Sequence, residues 1–156
     1  MMNLCSKLLE VLDGRTFSTA ESCTGGGIGA AFTAVPGSSA VYKGGIISYT
    51  NWVKENILCV ASNTLLENGA VSEETARDMA VCVRRLMKTD MAVSVTGIAG
   101  PGTDEKGTSV GTVYIGFSGE NKCYAEKFVF QGDRENVRNC AVREAIKILI
   151  CECGVE

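Results

Sequence analysis

The chain has 156 residues with a net charge of −3, 46% hydrophobic residues and no histidine. This composition predicts one globular domain over residues 1–156 and excludes a disordered chain. Without histidine, Ser-His-Asp and Cys-His nucleophilic sites and histidine-containing zinc sites are excluded, and the acidic balance disfavours nucleic-acid binding.

Eight cysteines are scattered through apolar contexts without a CxxC pair, which favours reduced thiols over a zinc site or a disulfide scaffold. The N-terminal segment has no cleavage-type ending, and no apolar run approaches the ~18 residues that a membrane span needs. We therefore expect a cytoplasmic protein without a membrane segment.

The first half of the chain alternates between predicted helices and strands. A periodic apolar face over residues 3–13 predicts an amphipathic helix. The β-favouring run 16–20 leads into a glycine-rich turn and a second helix, which Pro36 ends. A second strand is predicted over 45–49, and Asn51 after it is a suitable N-cap for a short helix.

The second half predicts a helix capped by Ser72, a strand over 91–96 and a glycine-rich loop over 97–109. An antiparallel hairpin follows, and Asp133 opens a last helix. The two strands of the hairpin are residues 110–117 and 123–130. This order of elements predicts an α/β fold, a three-layer α/β/α domain on a mixed sheet of about five or six strands.

The turn between the first strand and the second helix, Glu21-Ser22-Cys23-Thr24-Gly25-Gly26, is the strongest candidate for a functional site. A strand-to-helix turn exposes polar side chains at the sheet edge and aims free backbone N–H groups outward. Glycine lets a phosphate or an oxyanion approach the backbone closely. The alternative interpretation is a capped turn without function.

Ser22 as a nucleophile needs a base, and without histidine lysine is the best candidate. Lys54 lies about one helical turn past the second strand, which Tyr49 ends. Neighbouring strand ends would bring these three residues to one edge, where the phenol could relay the proton or orient the amine. The alternatives are an exposed helix lysine and a rim aromatic, and Cys23 is a rival nucleophile.

Two further segments offer ligand contacts. Thr96, Gly97 and Gly100 could supply backbone donors or a flexible lid. Arg134 follows a second helix start and could hold a phosphate through its guanidinium fork, although an arginine there is more often a surface charge.

Six segments in collinear order resemble the CinA C-terminal domain family, whose stand-alone members are nicotinamide-nucleotide amidases, also called NMN deamidases. The segments are AESCTGG (20–26), GGIISYTNWVK (44–54), GAVSEETA (69–76), TGIAGP (96–101), VGTVYIGF (110–117) and GDRENVR (132–138). The resemblance implies an anticodon-binding-domain-like, CinA-like fold and hydrolysis of the carboxamide of nicotinamide mononucleotide to nicotinic acid mononucleotide and ammonia.

The family's catalytic serine, tyrosine and lysine fall on Ser22, Tyr49 and Lys54, and the implied scheme needs no metal and no cofactor. The small-molecule substrate would contact residues in the glycine turn, the TGIAGP loop and their surroundings. The expected substrate-binding residues are Cys23, Thr24, Gly25, Gly26, Ser38, Ser39, Asn51, Thr96, Gly97, Gly100 and Arg134. We expect a homodimer, since hydrophobic helices such as 133–153 could pack against a twin.

One segment departs from the family pattern. Many relatives carry a loop that ends in Lys-Pro before VGTV, whereas this chain has GTDEKGTS over 102–109. Two alternatives to the nucleotide amidase are a nucleotide-binding or partner-binding module without catalysis and a Ser-Lys amidase for another small amide.

Overall fold

The computed structural model describes residues 1–154, which form six α-helices, five β-strands and one 3-10 helix. The helices are α1 (Met2–Leu12), α2 (Gly27–Thr33), α3 (Asn51–Asn56), α4 (Ser62–Asn68), α5 (Glu73–Met87) and α6 (Arg134–Glu152). The strands are β1 (Phe17–Glu21), β2 (Tyr42–Ile47), β3 (Met91–Gly97), β4 (Thr112–Ser118) and β5 (Cys123–Val129). The 3-10 helix is Ser38–Ala40.

The five strands form one mixed sheet in the order β2-β1-β3-β4-β5. β1 pairs in parallel with both β2 and β3, while β3–β4 and β4–β5 are antiparallel. Glu21 at the end of β1 is in register with Ile47 on one side and Val95 on the other. The carboxyl ends of three parallel strands therefore meet at one edge, where ligand sites of α/β sheets usually lie.

Helices cover both faces of this sheet. One core joins α1, α2 and α6 to strand residues such as Phe17, Val93 and Val95. The other joins α4 and α5 to Ala20 and Ala92 on the opposite face of the same strands. Because side chains alternate along a strand, this division produces three layers. The predicted α/β/α fold on a mixed sheet is confirmed.

Hydrogen-bonded caps fix the starts of the two longest helices. The Ser72 hydroxyl accepts a hydrogen bond from the Thr75 N–H at 3.1 Å, and the Asp133 carboxylate accepts one from the Asn136 N–H at 2.8 Å. Both caps agree with the prediction from the sequence. Of the helices within residues 1–154, none combines the length and apolar content of a membrane span.

Several details differ from the sequence-based prediction, including strand starts: β2 begins at Tyr42 rather than 45, and β4 begins at Thr112 rather than 110. The second strand ends at Ile47 rather than Tyr49. The N-cap of α3 is Thr50 and not Asn51, because Thr50 has extended backbone geometry and its hydroxyl accepts from the Val53 N–H at 3.3 Å. The short helix α4, which the sequence analysis did not predict, buries Leu65 against α5.

Candidate active site

Ser22 lies directly after the central parallel strand, between the ends of its two neighbours. Its backbone N–H donates to the Val95 carbonyl at 2.9 Å. On the other side, the Ser48 N–H donates to the Glu21 carbonyl at 2.8 Å. These bonds extend the parallel ladders beyond β1 and hold Ser22 at the edge of the sheet.

Lys54 on α3 reaches back to this serine. Its Nζ lies 3.0 Å from the Ser22 Oγ and 2.7 Å from the Ser48 carbonyl oxygen. Lys54 is only 1% exposed and Ser22 only 8% exposed, so water is almost excluded from the contact. The structure therefore brings the candidate nucleophile and the candidate base together.

The environment of Lys54 disfavours its charged form. Burial lowers the pKa of Lys54 to about 8, against a slight opposing effect of Cys23. Within residues 1–154, Lys54 forms no ion pair that would restore the usual value. By the titration relation, roughly a tenth of such amines are neutral at pH 7, which gives Ser22 a usable base.

Cys23 lies in the same turn as Ser22, and burial has the opposite consequence for its reactivity, because the neutral form of a thiol is the unreactive one. Its side chain is 7% exposed, and burial raises the pKa of Cys23 to about 11. The thiol is therefore protonated at neutral pH, and a protonated thiol is a poor nucleophile. Of the two neighbours, Ser22 is the one with an activating partner.

The glycines after Cys23 turn the chain from β1 into α2. Gly25 and Gly26 have φ values of 61° and 95°, in the left-handed region that glycine adopts without strain. The backbone N–H groups of Thr24 and Gly26 have no acceptor among residues 1–154. They are available to stabilise negative charge on a bound ligand.

The buried carboxylate of Glu21 holds this turn from one side. It accepts hydrogen bonds from the Thr24 hydroxyl at 2.7 Å and from the Ile28 and Gly29 N–H groups at 3.0 Å each. Two of these donors belong to the first turn of α2, whose free N–H groups attract a negative charge. Because the Thr24 hydroxyl donates its proton to Glu21, the donor that Thr24 can offer a ligand is its backbone N–H.

Arg138 on α6 holds the turn from the other side. Its Nε and Nη2 each lie 3.1 Å from a carbonyl oxygen, that of Cys23 and that of Thr24 respectively. A trans peptide is planar, so its N–H points away from its carbonyl oxygen. By binding the Cys23 carbonyl, Arg138 directs the Thr24 N–H away from α6.

A second group of predicted residues meets around Arg134, which lines a cavity together with Thr24 of the glycine turn. Arg134 Nη1 lies 2.7 Å from the Gly100 carbonyl oxygen, and Nη2 lies 3.3 Å from the Tyr49 hydroxyl oxygen. Tyr49 is 59% exposed and forms no hydrogen bond with Ser22 or Lys54 in the described chain. The phenol thus belongs to a rim with Arg134 rather than to the buried pair.

The other predicted residues are divided between the site and the rest of the molecule. Thr96 is next to Val95, but its hydroxyl donates to the Ala70 carbonyl at 2.7 Å. Gly97 ends β3, packed closely against β4. Asn51 begins α3 and lines a cavity of about 370 Å³ with Lys106 of the 102–109 loop.

Ser38 and Ser39 are not brought to this site. They form the 3-10 helix that precedes β2, and Tyr42 at the start of β2 is paired with Phe17 at the start of β1. Ser22 follows the opposite end of β1. Within one chain, the two serines therefore lie at the far edge of the sheet.

Sequence reasoning missed three contributors to this site. Glu21 was part of the turn motif, but no role was assigned to it. A carboxylate placed between a strand and a glycine turn is the sequence signal that could have indicated its role. Arg138 lies four residues after Arg134, one helical turn along α6, which is a signal that both point the same way. Ser48 gave no signal beyond its place before Tyr49.

Comparisons with known proteins agree with this description. The profile of the family described as CinA C-terminal domain matches residues 2–153. A putative competence-damage inducible protein of Halothermothrix orenii is 52% identical over 141 residues, which are 87% of this chain and 33% of that protein. The chain spans about a third of the length of the curated relatives it matches.

Solved structures match over nearly their whole length. The crystal structure of a competence-damaged protein (CinA) superfamily protein from Klebsiella pneumoniae has a TM-score of 0.95 at 33% identity and covers 98% of this chain and 97% of its own. The structure of the competence/damage inducible protein CihA from Agrobacterium tumefaciens has a TM-score of 0.92 at 37% identity, with coverages of 96% and 93%.

The fold and site together define an α/β/α protein with a buried serine–lysine pair at the carboxyl edge of a mixed sheet. With the profile match and these relatives, the chain belongs to the CinA C-terminal domain family.

Proposed function

We propose that the chain is a serine–lysine amidohydrolase that converts nicotinamide mononucleotide to nicotinic acid mononucleotide and ammonia. The observation that carries the proposal is the 3.0 Å contact between Lys54 Nζ and Ser22 Oγ, both in buried residues. A lysine with its pKa lowered to about 8 by burial is suited to act as a general base near neutral pH.

In the first half of the reaction, the neutral amine of Lys54 takes the proton of the Ser22 hydroxyl while Oγ attacks the carboxamide carbon. The carbonyl oxygen becomes an oxyanion, to which the free Thr24 and Gly26 N–H groups donate. The intermediate then collapses, the C–N bond breaks, and Lys54 gives its proton to the departing nitrogen. Ammonia leaves, and the acyl group remains on Ser22 as an ester.

In the second half, a water molecule replaces ammonia. Lys54 takes a proton from this water as its oxygen attacks the ester carbon. The bond from carbon to Ser22 Oγ breaks, Oγ recovers the proton, and the carboxylic acid is released. The same amine therefore serves both halves, alternating between base and acid.

The choice of substrate is supported by the sequence resemblance to nicotinamide-nucleotide amidases and by the rim of the site. Arg134 is exposed and forms no ion pair within the described residues, so its charge is available to a 5′-phosphate. It lies beside the Gly100 carbonyl and the Tyr49 hydroxyl, and it lines the same cavity as Thr24 of the glycine turn.

The test is to incubate the purified protein with nicotinamide mononucleotide, nicotinamide riboside and nicotinamide, and to measure ammonia and the acid product. Ser22→Ala and Lys54→Ala are run beside the wild type. We expect turnover of the mononucleotide alone, lost in both variants. Binding of the mononucleotide without turnover would instead support a binding module, and turnover of a different amide would change the substrate but keep the mechanism.

A further inference from the structure

Ser48 is a buried serine whose side chain the mechanism above does not use. It lies between β2 and α3 and is 0% exposed. Its N–H donates to the Glu21 carbonyl at 2.8 Å, and its carbonyl accepts from Lys54 Nζ at 2.7 Å. Its backbone is thus fixed between the residue before the nucleophile and the base.

The hydroxyl of Ser48 has no partner in the protein. Among the buried side-chain nitrogen and oxygen atoms of residues 1–154, the Oγ of Ser48 is the one that forms no hydrogen bond. Burying a hydroxyl without a partner costs free energy, so nearly all such groups are paired with protein or with a small polar molecule. A hydroxyl that only filled space could be replaced by a methyl group at no loss.

The position of this hydroxyl indicates which small molecule it would bind. It belongs to the residue whose carbonyl oxygen lies 2.7 Å from Lys54 Nζ, and this Nζ lies 3.0 Å from Ser22 Oγ, so the hydroxyl is carried by a residue in direct contact with the candidate base. A buried water needs two or more polar partners; the free Ser48 hydroxyl is one, and the Lys54 amine, held by the carbonyl of the same residue, is the candidate for the second. Ammonia and water have similar sizes and similar hydrogen-bonding groups.

We propose that Ser48 is a further catalytic residue, whose hydroxyl holds the hydrolytic water of the second half-reaction at the position that ammonia leaves. The role rests on the proposed amidase function. Ser48 Oγ accepts one O–H of the water, and Lys54 takes the other proton as the water oxygen attacks the ester carbon. The bond to Ser22 Oγ breaks, Oγ recovers the proton from Lys54, and Ser48 is unchanged.

The test separates the two half-reactions with the activated ester 4-nitrophenyl acetate. The burst of 4-nitrophenol reports acylation of Ser22, and the later steady rate reports attack by water. For Ser48→Ala we expect a burst within about threefold of the wild type and a steady rate lower by about 10-fold to 100-fold, the loss expected when one hydrogen bond to the attacking water is removed. Ser48→Thr, which keeps a hydroxyl, should recover most of the steady rate.

Two controls keep the result specific. Ser118→Ala removes another buried serine hydroxyl and should change neither phase. Ser118 ends β4 at the opposite edge of the sheet, where it is in register with Ala92 of β3 and Cys123 of β5. The melting temperature of Ser48→Ala should equal or exceed that of the wild type, because the change breaks no hydrogen bond in the protein. A clear fall in melting temperature would show a structural partner and overturn the proposal.

An unchanged steady rate in Ser48→Ala would also overturn it, as would a failure of Ser48→Thr to recover activity. A wild type that shows a burst with the ester but no turnover of the mononucleotide would overturn the proposed substrate, while the comparison of Ser48 variants would still decide the role of Ser48. A wild type without any burst would overturn the serine–lysine mechanism, and this role with it.

Discussion

The amine of Lys54 lies closer to the carbonyl oxygen of Ser48, at 2.7 Å, than to the hydroxyl oxygen of Ser22, at 3.0 Å. A carbonyl can only accept, so one N–H of the amine stays on it whether Lys54 is charged or neutral. In the neutral amine, the lone pair can then be directed to the Ser22 hydroxyl. The Ser48 carbonyl thus orients the base as well as holding it.

The first prediction concerns the pH dependence of the reaction. Because Lys54 has a pKa lowered to about 8 and must be neutral to act as a base, kcat/KM should rise about tenfold per pH unit below 8 and level off above it. The measurement is ammonia release between pH 6 and 10. A flat profile from about pH 6 to 9 would contradict the assigned base.

The second prediction concerns stability. Burial lowers the pKa of Lys54 from 10.5 in the unfolded chain to about 8 in the folded protein. Between pH 8 and pH 10.5, Lys54 is protonated in the unfolded chain and neutral in the folded protein. The contribution of Lys54 to the free energy of unfolding therefore increases as the pH rises from 8 to 10.5, and it keeps its lower value below pH 8. The gain between pH 7 and pH 10 should be roughly 2 kcal/mol.

Lys54→Met is the matched variant for this measurement, since methionine fills a similar volume without a charge. Urea unfolding of both proteins at pH 7 and pH 10 gives the difference in the free energy of unfolding. We expect the variant to gain relative stability at pH 7 and to lose this gain at pH 10. An equal difference at both pH values would show that Lys54 titrates normally.

The third prediction separates the two neighbouring nucleophile candidates. Ser22→Ala should lower kcat by at least about 10³-fold, because no acyl-enzyme can form. Cys23→Ser should stay within about tenfold of the wild type, since burial raises the pKa of Cys23 to about 11 and keeps the thiol neutral. Steady-state ammonia release decides between them, and the reverse pattern would move the nucleophile to Cys23.

Much of the fold could be predicted because its signals are local. The caps Ser72 and Asp133 and the period of α6 can be read from neighbouring residues. The approach of Lys54 to Ser22 also follows from simple topology, because parallel strands that are neighbours in the sheet end at one edge. Helix α4 was missed because only Leu65 of its seven residues is buried, which leaves no periodic apolar face.

Other features depend on how distant elements dock, which the sequence does not express. The prediction that Ser38 and Ser39 contact the substrate illustrates this. The sequence does not show that these residues precede β2 at the edge of the sheet opposite to Ser22. Arg138 contacts the glycine turn because α6 packs against α2, a tertiary contact between residues more than a hundred positions apart. The direction of the Tyr49 side chain, toward Arg134, is likewise set by packing.

The fourth prediction tests the buried carboxylate beneath the turn. Glu21→Ala would leave the Thr24 hydroxyl and the Ile28 and Gly29 N–H groups without their acceptor. We expect a loss of about 3 kcal/mol or more in the free energy of unfolding, measured in urea. Glu67→Ala, at an exposed position on α4, is the control and should change stability by less than about 0.5 kcal/mol.

The fifth prediction tests the rim. Arg134→Ala should raise KM for nicotinamide mononucleotide by about 10-fold to 100-fold with a smaller change in kcat, because it removes a charged contact with the phosphate rather than with the reacting amide. Arg85→Ala, an exposed arginine on α5 at the other face of the sheet, is the matched control. A similar rise in KM for both variants would indicate a general effect of charge on binding instead.

The parallel pairing of β1 with β3 has a consequence for how the activity can be used. β1 and β3 are separated by α2, β2, α3, α4 and α5, and Ser22 and Lys54 themselves are 32 residues apart. Contacts between residues that are this far apart in the sequence form later in folding than local helices do. A partly folded chain with intact helices would therefore lack a competent serine, so the rate of turnover counts only molecules that have completed the central sheet.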